Sequence, residues 1–345
     1  MSDLPDLRRT VRDPAADAPA ARALLRCEIA APGATSSSSD GDALLTVSYG
    51  ERTAATPGPR LDVANRVLGG GPVGESWRSP GRAQRHQRGS LAWSEDGERL
   101  AGVLASPSGG DLEEISRVHF AALLGLVAER GFPHLVRVWN YLPRINEGEG
   151  DFERYRRFNA GRARAFVERF GASGVESLFS ASSAVGTPGE SLATAFLATR
   201  GPALHLENRR QLPASRYPRR YGPSAPSFSR ATLAAGSAGG ALFVSGTASI
   251  VGHETVHPGS LEHQIDETLR NLDAVIDEAR RLADWQVPAL DGFAQVKVYL
   301  RYAGQADAAR ARLAGRLPGD AATLFLEADI CRADLLVEIE GVAFP

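Results

Sequence analysis

Residues Leu324 to Pro345 read LFLEADICRADLLVEIEGVAFP. The apolar opening suits a short strand, Cys331 to Asp334 suit a turn, and the end of the chain suits a final strand, too apolar for a loose tail. Alternation along that strand puts Glu338 and Glu340 on one face, and Leu335, Leu336 and Val337 just before them predict partial burial. Burial raises a carboxyl pKa toward the range where it can donate a proton. A carboxylate paired for structural reasons fits the same residues, and both readings stand at this level.

Working back from that hairpin, Ala231 to Ala234 and Ala241 to Ser245 read as strands, with Gly239, Gly240 and Gly246 at turns. Leu261, Ile265, Leu269, Leu272, Ile276 and Ala279 form one apolar stripe of a long helix, and Ser260, Glu262 and Glu267 suit its start. A strand over Phe293 to Leu300 and a shorter helix over Ala306 to Leu313 complete an α+β unit, one sheet backed by two helices. The preceding half repeats the order. Ala43 to Tyr49 is a strand signal, and Leu112 to Arg130 is an amphipathic helix stopped by Gly131 and Pro133, with His119 assigned to packing. A strand over His134 to Asn140, a helix over Asp151 to Phe170 and an apolar element over Leu192 to Thr199, expected to precede a strand, follow. This order points to a diverged internal duplication.

Between the halves, Pro213 to Ser229, PASRYPRRYGPSAPSFS, has four prolines and is excluded from regular structure. It reads as a linker and a rigid loop together, since a bare linker needs none of Tyr217, Arg219, Arg220 and Tyr221. The expected organisation is a partly flexible segment over 1–40, an α+β domain over 41–225 and a second one over 226–345. The Ala, Pro and Ser-rich stretch Asp13 to Ser39 is where mobility is expected.

With 345 residues, 43% of them hydrophobic, the chain can fill real cores, and a formal charge of −2 gives no general attraction for nucleic acid or an anionic membrane. Any anion preference must be local. Cys27 and Cys331 make neither a CxxC motif nor a disulfide framework. No apolar run suggests a leader or a membrane span, so the cytoplasm is the expected location. His253 to His257, HETVH, satisfies HExxH, but Gly252 and Pro258 flank it, so it is read as a loop and not as a zinc helix. The glycine groups lack a nucleotide-binding pattern.

The local anion preference is found in Trp139 to Arg164, WNYLPRINEGEGDFERYRRFNAGRAR, where arginines stand among aromatic residues. Tyr155 and Arg162 are seven apart, two helical turns, with Phe158 on the same side. A guanidinium fork and a phenol there suit a carboxylate.

WNYLPRIN at Trp139 to Asn146, ERYRRFNAGRARAF at Glu153 to Phe166, YPRRYGP at Tyr217 to Pro223 with SFSRA at Ser227 to Ala231, SGTASIVGHE at Ser245 to Glu254, and CRADLLVEIEG at Cys331 to Gly341 occur in this order. Together they resemble the chorismatases. The resemblance runs from about Leu135 to the C-terminus closely, and more loosely before it.

It implies a C-terminal domain similar to the RidA (YjgF) fold, packed against a related, diverged N-terminal α+β domain. It implies no metal or organic cofactor, and chorismate as substrate. Tyr155 and Arg162 would hold the enolpyruvyl carboxylate, the Tyr217, Arg219 and Tyr221 loop would close the pocket, and Glu338 would be the proton donor. Family members that form 3-hydroxybenzoate carry a cysteine seven residues before the glutamate, where hydrolytic members carry alanine. Cys331 stands at that position, so 3-hydroxybenzoate and pyruvate are the expected products, with some 4-hydroxybenzoate left open. The alternatives are a hydrolase releasing the non-aromatic diol, or a RidA-like binding protein or deaminase. Thr323, where RidA deaminases carry a carboxylate-binding arginine, argues against deamination. Because the two halves can cover each other as neighbouring subunits do in a RidA trimer, a monomer is expected.

Overall fold

A computed structural model describes residues 25–30, 43–50, 59–79, 81–235 and 240–345. Most of Asp13 to Ser39 lies outside the described residues, as does Gly239.

Among the described residues the halves share a topology. The first sheet uses β5 (Gln84–Arg88), β6 (Leu91–Glu95), β7 (Arg99–Pro107), β8 (His134–Pro143), β9 (Ala181–Thr187) and β10 (Ser191–Thr199), ordered β5-β6-β7-β10-β8-β9. Helices α1 (Leu112–Glu129) and α2 (Arg154–Phe170) connect β7 to β8 and β8 to β9. The second sheet uses β11 (Ala203–Leu206), β12 (Ala231–Ala234), β13 (Ala241–Ala248), β16 (Gln295–Leu300), β17 (Thr323–Glu327) and β18 (Val337–Ala343), ordered β11-β12-β13-β18-β16-β17. Helices α3 (Leu261–Leu282) and α4 (Ala306–Leu313) occupy the matching connections. The parallel pair sits at the same place in each, β8 with β9 and β16 with β17. β1 (Arg26–Ala30), β2 (Ala43–Tyr49), β3 (Arg60–Val63) and β4 (Val73–Arg78) form a further sheet, and β14 (Ile250–Val251) with β15 (Glu254–Thr255) a small hairpin.

Each six-stranded sheet has helices on its outer face. Leu123, Phe158 and Phe166 pack with Leu135 and Val138 behind the first sheet, and Ile265, Leu272 and Ile276 pack with Val298 and Ile339 behind the second. The inner faces meet around Trp77, Trp139, Phe243 and Tyr299, with the four-stranded sheet closing one side. Burial of such side chains contributes roughly 1.5 to 3 kcal/mol each. Alternation along β18 is strict: Val337 and Ile339 face the helices, and Val342 faces the inner core. Glu338 and Glu340 therefore point toward the other half of the chain.

Five expectations need correction. β17 and β18 are not a hairpin, because β16 lies between them, parallel to β17 and antiparallel to β18. Gly246 lies inside β13, at its register irregularity, and not at a turn. Leu192 to Thr199 lies within a strand, β10, central in its sheet. Ser260 stands at the α3 N-cap, but its hydroxyl engages His263 Nδ1 at 2.9 Å and makes no capping bond. Glu267 is not first-turn dipole chemistry; it is buried and ion-paired with Arg210 and Arg270. As to organisation, β11 joins the second sheet although it precedes residue 226, and Pro213 to Ser229 adds only two short 3-10 turns.

Candidate active site

The stretch after β17 leaves the sheet with only a few backbone bonds, such as the Leu335 amide to Arg332 O at 3.1 Å, so side chains must satisfy many of its remaining polar groups. Arg301 donates to the carbonyls of Leu335 at 2.8 Å, Ile330 at 3.1 Å and Arg332 at 2.8 Å, and Asn146 Nδ2 donates to Ile330 O at 3.1 Å. From α3, Gln264 donates to Asp334 O at 2.8 Å and accepts from Leu336 N at 2.7 Å. The turn is rigid for these reasons, and it delivers Cys331 and Arg332 to one side and Glu338 to the strand that follows.

That side is a cavity of about 380 Å³, whose lining includes Tyr155, Tyr217, Tyr221, Cys331, Arg332 and Glu338. Tyr155 is set by the start of α2: its amide donates to Ile145 O at 3.0 Å, and the Arg154 amide donates to Glu147 O at 2.8 Å, giving two orphan helix donors partners in the preceding loop. Gly161 lets α2 sit close on α1, since a side chain there would overlap the Glu113 carbonyl. Tyr217 and Tyr221 come from the proline-rich loop, their rings 5.4 Å apart.

Glu338 is buried, and its Oε1 has no hydrogen-bond partner. Burial, reinforced by the negative charge of Glu340 and opposed by Arg137, raises its pKa to about 8. It is thus a neutral acid at pH 7. Gly246 faces the carboxyl from inside the irregularity of β13 between Val244 and Thr247, and a side chain there would overlap the Glu338 carboxyl. Cys331 is a free thiol whose pKa burial and the nearby Glu338 push up to about 12, so it is a thiol and not a thiolate.

Two residues away, Glu340 has the opposite fate. Arg137 Nη2 lies 2.7 Å from its Oε2, Lys297 Nζ 2.8 Å from its Oε1, Trp139 Nε1 donates at 2.9 Å and Ser183 Oγ also donates. Burial alone would raise its pKa, but Arg137 and Lys297 hold it down to about 2. Lys297 also meets Glu75 Oε2 at 2.9 Å, which accepts from Tyr49 at 2.9 Å, while Trp77 donates to Glu75 Oε1 at 2.7 Å. Burial opposes the charge of Lys297, yet Glu340 and Glu75 hold its pKa up. Arg137, Glu340, Lys297 and Glu75 form a buried, charge-balanced chain across both six-stranded sheets and the four-stranded one.

Arg162 is buried on α2, donating to Ser182 Oγ at 3.2 Å, with Nε and Nη2 unpartnered and the Phe120 ring centre 4.9 Å away. Burial, only partly opposed by Tyr155, lowers its pKa to about 10. It stands behind Tyr155 and is not part of the cavity wall. Arg219 is exposed and turned away, bonded to Asp151 at 2.8 Å and 2.5 Å. The structure thus brings Tyr155, Tyr217, Tyr221, Cys331 and Glu338 together, sets Arg162 behind them, and leaves Arg219 outside.

Sequence reasoning missed Arg332, Arg230, Gly246 and the charge chain. A charged residue at an inward position of an apolar strand, as in HLVRVWN and QVKVYL, was the available signal for Arg137 and Lys297. His119 is buried, and its pKa falls to about 3 because of that burial. The HETVH segment contributes β15 and a turn, and among the described residues no group of three or more His, Cys, Asp or Glu side chains could hold a metal ion. Thr323 donates its hydroxyl to Pro318 O at 2.8 Å, at the start of β17. Among the described residues, no helix is long and apolar enough to cross a membrane.

Comparison with known proteins bears on this arrangement. Residues 75–198 match the family model for the N-terminal part of FkbO/Hyg5-like chorismatases. A 3-hydroxybenzoate synthase of Streptomyces hygroscopicus is 36% identical over 296 residues, 82% of this chain and 85% of that one. A chorismatase of Streptomyces rapamycinicus is 38% identical over 275 residues, 78% of this chain and 81% of that one. The crystal structure of a chorismatase superposes with a TM-score of 0.84 at 32% identity, covering 93% of this chain and 98% of that one. The chain is an enzyme of the chorismatase family.

Proposed function

We propose that the enzyme converts chorismate to 3-hydroxybenzoate and pyruvate. The observation that carries this reading is the neutral Glu338 carboxyl, its Oε1 without a partner among the described residues, buried on the wall of a cavity that also holds Tyr155 and Cys331. Glu338 donates its proton to the enolpyruvyl methylene, which leaves an oxocarbenium-like carbon. Water adds to that carbon, the hemiketal collapses to pyruvate, and the ring loses one water as it aromatises, so no net water is consumed. Burial, reinforced by Glu340 two residues away and held charged, keeps the donor's pKa high.

Tyr155, backed by Arg162, holds the enolpyruvyl carboxylate. Arg162 supports this role because it has two buried donor atoms unpartnered and no carboxylate partner among the described residues. Tyr217 and Tyr221 cover the pocket, and Arg219 fastens their loop to Asp151. Cys331 faces the ring and directs aromatisation. No metal or organic cofactor takes part, and the chain acts as a monomer, which light scattering at several concentrations checks.

The test is pyruvate release from chorismate with separation of the ring products. Wild type should give mainly 3-hydroxybenzoate; release of only the non-aromatic diol would assign the hydrolytic reaction instead. Cys331→Ala should still release pyruvate but with less 3-hydroxybenzoate and more diol. An unchanged aromatic fraction at wild-type turnover would return Cys331 to packing.

A further inference from the structure

Chorismate carries a second carboxylate, on the ring, and the reading above gives it no partner. The cavity wall supplies candidates. Arg156 is neutralised by Glu153 at 2.8 Å. Arg230 is engaged with Leu212 O and the Tyr217 hydroxyl, each at 2.9 Å. Arg332 differs from both. Among the described residues it has no carboxylate partner, and its only side-chain hydrogen bond goes to Thr255 Oγ1 at 3.2 Å. Thr255 in turn donates to Asp334 Oδ1 at 3.1 Å, so a hydroxyl separates the turn's one acidic wall residue from the guanidinium.

The guanidinium centre lies 4.1 Å from the Tyr221 ring centre and 5.3 Å from that of Tyr217. Stacking of this kind occupies the faces of the group and leaves its edge donors free for a planar acceptor. Its carbonyl is gripped by Arg301, so the main chain beneath it does not have to be ordered on binding. Cys331 is the preceding residue, and Glu338 shares the cavity.

We infer that Arg332 is the receptor for the ring carboxylate, clamped between the tyrosine loop and the closing turn, and that it sets specificity for cyclic acids. This rests on the proposed reaction for its substrate. It places the ring beside Cys331 and the enol ether toward Tyr155 and Glu338. Arg230 acts as a positioning residue, holding the Tyr217 phenol against the clamp.

The probe is 3-hydroxybenzoate, which has the ring carboxylate and no enolpyruvyl group, measured against 3-hydroxybenzamide by calorimetry on wild type, Arg332→Leu, Arg332→Lys and Arg162→Ala. Wild type should prefer the acid. Arg332→Leu should weaken acid binding by roughly tenfold to a hundredfold and leave the amide nearly unchanged, the scale of a charge-assisted hydrogen bond. Arg332→Lys should retain part of the preference, and Arg162→Ala nearly all of it. Should Arg332→Leu misfold, the lysine variant alone still decides, because a full wild-type preference there would overturn the planar clamp. An acid preference that survives Arg332→Leu, one lost in Arg162→Ala, or none in wild type would also overturn the inference. Acid binding through Arg332 without pyruvate release from chorismate would refute the reaction and keep the site; pyruvate release with the preference untouched in Arg332→Leu would do the reverse.

Discussion

β10 and β18 hold the same place in their two sheets and carry opposite chemistry. β10, SLATAFLAT, lies between β7 and β8 and carries no ionisable side chain; β18, VEIEGVA, lies between β13 and β16 and turns two carboxylates inward. One topology has been used twice, with ionisable groups in the central strand of one copy only. The first half instead provides partners: Arg137 and Trp139 on β8, Ser183 on β9, and Tyr155 and Arg162 on α2. The difference teaches that two units of one topology can build a site together when one presents an acid and the other presents the groups that neutralise or face it.

The largest effect should come from breaking the neutralisation. Lys297→Met leaves Glu75 and Glu340 sharing too little positive charge in a dry interior, and removal of one member of a buried ion pair typically destabilises by about 3 to 5 kcal/mol. Urea unfolding should show a midpoint lowered accordingly; an unshifted midpoint would mean that the chain of charges is not structural.

Glu338→Gln keeps shape but cannot deliver a proton, so pyruvate release should fall at least about 100-fold. With the acid form as the donor in the proposed reaction and its pKa raised to about 8, wild-type kcat/KM should hold through neutral pH and fall above about 8. The sign for stability follows from linkage: a carboxyl with a raised folded-state pKa stabilises less as pH climbs from the ordinary carboxylate range toward 8. Glu338→Gln should therefore lose less stability than wild type over that window. Glu340 is held down to about 2, so its contribution is present above the ordinary carboxylate range and disappears as pH falls toward 2. A wild-type rate rising above pH 8 would contradict the donor role.

Arg162→Ala probes the contribution of the first half and should reduce kcat/KM by about tenfold to a thousandfold, roughly 1.4 to 4 kcal/mol, since it removes the buried cation that backs Tyr155. Lysine should restore only part of it. Unchanged kcat/KM would leave Arg162 a packing residue. The smallest effect belongs to β10 itself. Thr194 is buried and donates to Asn140 Oδ1 at 3.1 Å, so Thr194→Val should cost about 1 kcal/mol and leave turnover intact. A large loss of turnover there would mean that the two central strands are more alike than their sequences.

Much of this was legible because the deciding signals are local. The stripe from Leu261 to Ala279, the helix from Leu112 and the closing strand each state their period in fewer than about 20 residues. Cys331 and Glu338 lie seven residues apart on one turn and the strand that follows it, and Tyr217 and Tyr221 share one loop, so their association needed little long-range knowledge. What stayed hidden depends on distant pairing. Glu75 and Lys297 are 222 positions apart, and nothing in VGESWR marks its glutamate as buried. QRHQR in β5 has no apolar alternation and forms an edge strand that a single sequence does not announce. Arg332 went unmarked because its ring partners come from a loop more than 100 positions earlier. Arg219 looked like a ligand for the opposite reason: it has the right chemistry in the right loop, and only the fold shows it turned toward Asp151.

The grip on the closing turn has a consequence for how such an enzyme can change. Arg301, Asn146 and Gln264 hold residues 330 to 336 entirely through main-chain oxygens and one amide. Those contacts are indifferent to the side chains at 331, 332 and 333. Substitutions there can be explored freely without rebuilding the path of the chain, which makes this short segment the natural place to diversify a library for new ring products while the acid behind it stays fixed.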